Sequence, residues 1–439
     1  MINFDEQIND AIRNLLNYFK KYDREIKSEP KILQGAHPII KLGEVKNLRY
    51  SHIDLVGKKT DRFKPINKSQ QIGFNEMDYE HVISAAEKVF EIPEFNKYAS
   101  LDFIEEAIFE WVVQKNGDDA FNEQPLTYFR RHLDDKIEEY IFYFPLVAIE
   151  IEKNFEIGNC HLVCFDEYFK QNEHEKFERG TSEFTEEDFN YVISRLENRI
   201  VLIACATGIL ERAEKEAKYK ADLALSLFKS FLIDESVNPY TTICELEYKS
   251  ITLPKYSLFY QTSNPHFDLG SGIRSNEGVQ PVEITSEILQ RIYARGFPKL
   301  SHYLKNSMQT DFDGIINNTI LRIGSYTSET NIHERIVKIV SVFESVFLPK
   351  KKGKGKGLSI MKQKVLPRII SEIDLERGIS LFIEHYNIRD KYIHNRIELR
   401  VNRDRLFEFQ HIPIILLDKL LLYRKDCKTE EDLIKLFEL

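Results

Sequence analysis

The period of the apolar residues changes along this chain, and that change limits its fold more than any other feature. Up to about residue 260, stretches with three- and four-residue spacing alternate with aromatic and β-branched runs, whereas beyond residue 283 the spacing is helical alone. Phe4, Ile8, Ile12, Leu15, Leu16, Phe19 and Tyr22 predict one amphipathic helix behind a capping box from Asn3 to Glu6. Residues 83–90 and 101–113 predict two more helices. The runs 140–151 and 155–165 predict strands, with a hairpin at Gly158-Asn159. Helical spacing then extends over 185–232 until Asn238-Pro239 closes it, and strands are expected at 241–248 and 256–260.

Residues 262–283 collect Ser, Asn, Pro and Gly and predict a domain boundary. The expected organisation is a mixed α/β region over 1–283, of one or two subdomains, followed by an α-helical domain over 284–439. Helical runs at 331–348, 366–373, 379–399 and 412–423 predict a four-helix bundle there. At 439 residues, 42% hydrophobic and 30% charged, the chain can bury two or three ordinary cores. No run approaches the roughly 18 apolar residues of a membrane helix and the start lacks a signal peptide, so a cytoplasmic protein without membrane contact is expected. The five cysteines stand in apolar contexts and read as core residues. Cys160-His161-Leu-Val-Cys164 has no second pair nearby to complete a zinc tetrahedron, so neither a metal nor a cofactor is expected.

Charge separates the two regions. Residues 291–439 hold 27 Lys+Arg against 19 Asp+Glu, leaving 34 against 51 for residues 1–290. A positive terminal region suits a polyanion such as RNA, and attraction between regions of opposite sign would cover it at rest. Lys350, Lys351, Lys352, Lys354 and Lys356 alternate with glycine and form either a phosphate-gripping loop or a solvated one. The Walker A spacing is absent from this segment.

Tyr386-Asn-Ile-Arg389-Asp390-Lys-Tyr-Ile-His394-Asn395-Arg396 is the segment with chemical potential. Ile383, Tyr386, Ile393 and Ile397 form one helical stripe, and Asp390 interrupts it one turn from His394, where it can accept a hydrogen bond from the imidazole and fix its tautomer. Arginine, carboxylate and histidine together suit RNA cleavage without metal: the imidazole moves protons and the guanidinium holds the scissile phosphate. The same residues also suit a satisfied salt bridge on a bundle helix. Glu344 either pairs with Arg389 across the bundle or forms the polar edge of its own helix, and Asn395 and Arg396 are candidates for holding the RNA backbone.

This segment resembles the HEPN superfamily, whose ribonucleases carry Arg, four to six residues, then His, with a polar residue following the Arg. It is most similar to the Apea-like, abortive-infection branch, in a helix ending Phe343-Glu344-Ser-Val-Phe-Leu, a variable loop, then Arg389-Asp390-Lys-Tyr-Ile-His394. The likeness covers the last 110–150 residues. It implies a four-helix bundle and an anti-phage endoribonuclease with Arg389, Asp390 and His394 at its centre and Glu344 and Tyr386 in support. It also implies a homodimer through the C-terminal domain, tRNA, rRNA or mRNA as substrate, and a phage-derived trigger sensed by residues 1–283. Many such toxins have Asn or His where Asp390 stands.

Arg295 to His302 and Arg405 to His411 fit the same spacing. The first contains Gly296 and Pro298 and cannot be one helical unit, and the second reads as an interhelical connection ahead of Pro413. Two alternatives belong to other classes. One is an inert bundle that dimerises or binds a nucleotidyltransferase-like partner. The other is a metal-dependent nuclease at Glu247-Tyr-Lys249, whose spacing follows the Asp/Glu-x-Lys pattern.

Overall fold

A computed structural model of the chain describes residues 4–23, 61–66, 70–172, 193–233, 244–247, 255–261, 267–272, 282–306, 310–329, 331–348, 357–370 and 374–438. They form two compact units, Met1–Glu139 with Thr207–Ala213, and Tyr140–Ala206 with Glu214–Leu439.

The first unit opens with α1 (Phe4–Asn14), which buries Ile8 and Ile12 as its spacing requires. The expected helix to Tyr22 stops early. Leu15–Asn17 is a 3-10 turn, and Phe19 and Tyr22 belong to β1 (Lys20–Asp23) or its approach, because β1 pairs with β3. β2 (Arg62–Pro65) and β3 (Gln70–Phe74) complete an antiparallel sheet in the order β1-β3-β2. Four helices follow: α2 (Glu76–Phe90), α3 (Pro93–Tyr98), α4 (Leu101–Gly117) and α5 (Pro125–Asp134). Asn75 and Ser100 start α2 and α4 by accepting the backbone N–H of Asp78 and Phe103. Phe74, Phe95, Phe109 and Phe129 lie in one shared core.

The second unit is built on a larger sheet. β4 (Glu138–Val147), β5 (Ile149–Ile151), β6 (Phe155–Ile157) and β7 (Cys160–Cys164) lead to α6 (Phe165–Asn172) and β8 (Ile200–Gly208). β6 and β7 form the hairpin expected at Gly158-Asn159, with Gly158 at φ +62°. β8 corrects the long helix expected over 185–232. Ile200-Val-Leu-Ile is a strand between β4 and β7, buried almost throughout, and among the described residues of that segment helix is confined to residues 193–196 and α7 (Leu210–Leu232). A strand covered on both faces loses its alternation and becomes indistinguishable from a buried helix turn.

β9 (Glu245–Leu246) and β10 (Lys255–Gln261) pair with β4, and β11 (Phe267–Gly272) pairs with β10. β12 (Val282–Ile284) runs parallel to β5. The expected linker 262–283 thus carries β11 and the start of β12, and the division between compact units falls at Glu139–Tyr140.

From Ser286 onward every described element is helical. α8 (Ser286–Ala294), α9 (Phe297–Leu304), α10 (Asp311–Thr327) and α11 (Ile332–Phe347) come first. α12 (residues 357–369), α13 (Leu375–Asn395), α14 (Arg403–Phe409), α15 (Ile412–Tyr423) and α16 (Glu430–Phe437) follow. α10, α11, α13 and α15 pack as the centre of a helical bundle with more members than the four expected. α12 begins nine residues before the expected 366 and contains a π turn at Met361–Val365, just ahead of Pro367. No described helix is long and apolar enough to cross a membrane.

Candidate functional site

The site grows from the contact of α11 with α13. α11 starts where the Asn331 side chain accepts the N–H of His333 and Glu334, and it buries Ile336, Ile339, Val340, Phe343 and Phe347. α13 buries Gly378, Leu381, Phe382, His385 and Ile388. Phe343 meets Phe382 edge-on at 5.1 Å, and this contact brings Glu344 opposite Arg389. The buried seam of α13 is therefore not the expected one. Ile393 and Ile397 are 43% and 47% exposed, and Ile383 and Tyr386 lie at the margin.

Arg389 is the most constrained polar side chain of the site. Its Nη2 donates to Glu344 Oε2 at 2.9 Å and its Nη1 to Asp390 Oδ1 at 2.8 Å, over the Tyr386 ring, whose centroid is 5.6 Å away. Nε is buried without a hydrogen-bond partner. Burial works against the charge on Arg389, but the Asp390 hydrogen bond and the Glu344 charge outweigh it and raise the guanidinium pKa. Burial, reinforced by Glu344, also raises that of Tyr386, whose hydroxyl donates to Glu344 Oε1 at 3.4 Å. The pairing of Glu344 with Arg389 is the first of the two readings the sequence left open.

His394 lies in the last turn of α13, exposed. The expected hydrogen bond from its ring to Asp390 is not formed, because Asp390 turns to the neighbouring guanidinium. A carboxylate beside an arginine on the preceding residue gains more from that permanent charge than from an imidazole a turn away. Asn395 and Arg396 are exposed past His394, and so are Lys391 and Arg400. Arg396 closes the helix at φ +56°, with the N–H of Ile397 reaching Lys391 O at 3.2 Å. The five lysines 350, 351, 352, 354 and 356 lie outside the described residues, but Gly357 has its α-carbon so near Tyr386 that an added Cβ would stand 3.2 Å from the hydroxyl. Gly357, the first described residue after those lysines, thus lies against Tyr386 of the Arg389 site.

Sequence reasoning missed a second cluster one turn further along α13. Tyr392 donates to Glu334 Oε1 at 2.8 Å and stacks on His333 at 5.2 Å, and His333 Nε2 lies 2.9 Å from Leu399 O. Its signal was the i+3 position of Tyr392 relative to Arg389, which places both on the side facing α11.

The other candidate pairs are placed elsewhere. Arg295 donates to Phe231 O from the end of α8, and Gly296 at φ +97° separates it from His302 on α9. Arg405 on α14 pairs with Glu384 and donates to Ser380 Oγ at 3.0 Å, while His411 precedes α15. Glu247 is completely buried and accepts from Arg199 at 2.8 Å, and Lys249 lies outside the described residues. On β7 the side chain of His161 projects to the face opposite Cys160 and Cys164. Compared with protein-family models, with curated proteins and with solved structures, the chain finds no match.

Proposed function

We propose that the chain is a metal-independent endoribonuclease of HEPN type, with Arg389 and His394 as its working pair, acting in anti-phage defence under control of its N-terminal region. The observation that carries this reading is Arg389 itself, a half-buried cation fixed by Glu344 from behind, with Asp390 on its outer side and exposed His394 on the same helix. Phosphate can take the place of Asp390 at Nη1 while Glu344 keeps Nη2, so the guanidinium stays aimed as charge grows on the phosphoryl oxygens. A histidine accepts the proton of the 2′-hydroxyl as its oxygen bonds to phosphorus. A second histidine protonates the departing 5′-oxygen. The products are a 2′,3′-cyclic phosphate and a 5′-hydroxyl.

Exposed Lys391, Arg396 and Arg400 supply sequence-independent attraction for RNA around the end of α13. Exposed Ile393 and Ile397 flank His394 and suit a twofold contact with a second copy, which would supply the second histidine. The test is cleavage of total RNA by the purified chain in EDTA, with chemical analysis of the ends. Activity that requires a divalent ion, or 3′-hydroxyl products, would overturn the proposal.

One observation favours the inert, partner-binding reading: both Nη groups of Arg389 already face carboxylates, as in a structural ion pair. Unchanged RNA integrity with Arg389→Ala and with His394→Ala, beside an inactive native chain, would support it.

A further inference from the structure

A second site stands in the compact unit Tyr140–Ala206 with Glu214–Leu439, apart from Arg389. It is a cleft of about 310 Å³ between α7, the β6–β7 turn and the end of α9. Its floor is apolar, formed by Ile157, Leu223, Ala224 and Leu304. Gly158 fits because a Cβ there would lie 2.6 Å from Leu304 Cβ, and its N–H donates to Ser301 Oγ at 2.8 Å, so the turn is clamped to α9. That clamp fixes Asn159 on one rim of the cleft, with Asn306 also lining it.

The remaining wall carries the hydrogen-bond donors Tyr219 and Lys220. Tyr303 donates to Asn317 Oδ1 at 3.0 Å behind the cleft, Asn317 is 1% exposed, and Tyr219 lines the cleft itself. The phenolic hydroxyl of Tyr219 carries one proton that it can give to a ligand in the cleft. Lys220 Nζ uses two of its three hydrogens on Cys205 O, at 2.9 Å, and on Glu216, at 2.7 Å. The third is available. The thiol of Cys160, pushed up to about 12 by burial, is inert packing at the back of the cleft.

We propose that this cleft binds a nucleoside or nucleoside monophosphate, with the base lying on the apolar floor. An apolar floor takes a planar ring, Tyr219 and Lys220 offer hydrogens to carbonyl or ring-nitrogen acceptors, and the side-chain amides of Asn159 and Asn306 match either donors or acceptors on the base edge. Lys305, at the rim and paired with Glu156 at 3.1 Å, is placed to meet a 5′-phosphate. A free sugar phosphate has nothing to lay on the floor and a bare anion meets Glu216, so base recognition must dominate.

The experiment is calorimetric titration of the full chain with adenosine, guanosine, cytidine, uridine and their 5′-monophosphates, and with ribose 5-phosphate as control. The expected result is one site per chain for at least one base-bearing compound, weakened at least tenfold by Tyr219→Phe and by Asn306→Ala, and unchanged by Arg389→Ala. Tyr219→Phe keeps the ring and Asn306 lies at the surface, so neither substitution threatens folding. The proposal is overturned if no base-bearing compound binds, if ribose 5-phosphate binds as tightly, if both cleft variants bind like the native chain, or if Arg389→Ala removes the binding. None of these outcomes depends on RNA cleavage.

Discussion

Asp390 and His385 are the residues where local chemistry gives the sharpest expectations. Asp390 is held by Arg389 and makes no hydrogen bond to His394, so its carboxylate competes with phosphate for Nη1. Asp390→Asn should therefore tighten RNA binding severalfold and leave the single-turnover cleavage rate within about threefold, because the proposed mechanism assigns the transition-state contacts to Arg389 and His394. A loss of about a hundredfold in that rate would instead restore Asp390 to the role of orienting the imidazole. His385, one turn before Arg389, is wholly buried; its Nδ1 lies 2.8 Å from Leu381 O, its ring stacks on Phe409 at 4.3 Å, and Nε2 has no partner. Burial lowers its pKa, although the hydrogen bond to Leu381 opposes the shift. The folded state thus refuses a proton that the unfolded state accepts, and the stability His385 contributes is complete above its ordinary pKa, near 6.5, and lost as pH falls toward the depressed value. His385→Phe should become more stable relative to the native chain as pH drops from 7 to 5, read from urea midpoints at each pH. A difference that stays constant with pH would show that His385 is not held neutral.

Elements were legible where one face was buried and illegible where two were or where a cap departed from preference. α11 and α15 fall within a residue or two of their expected limits because their apolar residues recur with helical spacing and Asn331 or Pro413 marks the start. β8 was hidden by its double burial, and α10 by its content of Gly, Asn and Thr, although Thr310 and Asp313 form a capping box at its start. The pairing of Glu344 with Arg389 was foreseeable as one of two options because a charged residue at the margin of an apolar face seeks a partner on the facing helix. The orientation of Asp390 was not, since sequence spacing fixes helix faces but leaves open which of two nearby partners a short carboxylate prefers. The end of α13 is the clearest departure, because Arg396, and not a glycine, takes the left-handed position at φ +56°. A side chain there costs about 1 kcal/mol relative to glycine. If that residue is retained for its charge, Arg396→Gly should raise the stability of the chain by about 1 kcal/mol while lowering the salt slope of RNA binding by about one. Stability and affinity that move together would show that Arg396 has only a structural part.

At the scale of the whole molecule, the proposed cleavage requires Arg389 and His394 to reach one phosphate. Five residues apart on α13, they are separated by about 140° around the helix and about 7.5 Å along it. Their surroundings agree with that separation: Arg389 points to Glu344 on α11, whereas His394 is exposed on another side, beside exposed Ile393 and Ile397. Among the described residues, a single chain therefore presents one exposed histidine at the end of α13, and the proposed cleavage needs one group to take a proton and another to give one. In the proposed dimer, a twofold axis running past Ile393 and Ile397 would bury four isoleucine side chains and set two His394 rings on the two sides of a shared cleft, with an Arg389 from each chain behind them. Mixing native chain with His394→Ala chain, under conditions where subunits exchange, separates this arrangement from independent sites. If both histidines serve one phosphate, the cleavage rate follows the square of the native fraction and falls to a quarter in an equal mixture. Independent subunits give a straight line and half the rate. A second variant fixes the interface: Ile393→Asp with Ile397→Asp should yield monomers by sedimentation and abolish cleavage, with helicity by circular dichroism unchanged. Monomers that cleave RNA at the native rate per chain would refute the shared site and return both steps of proton transfer to one subunit.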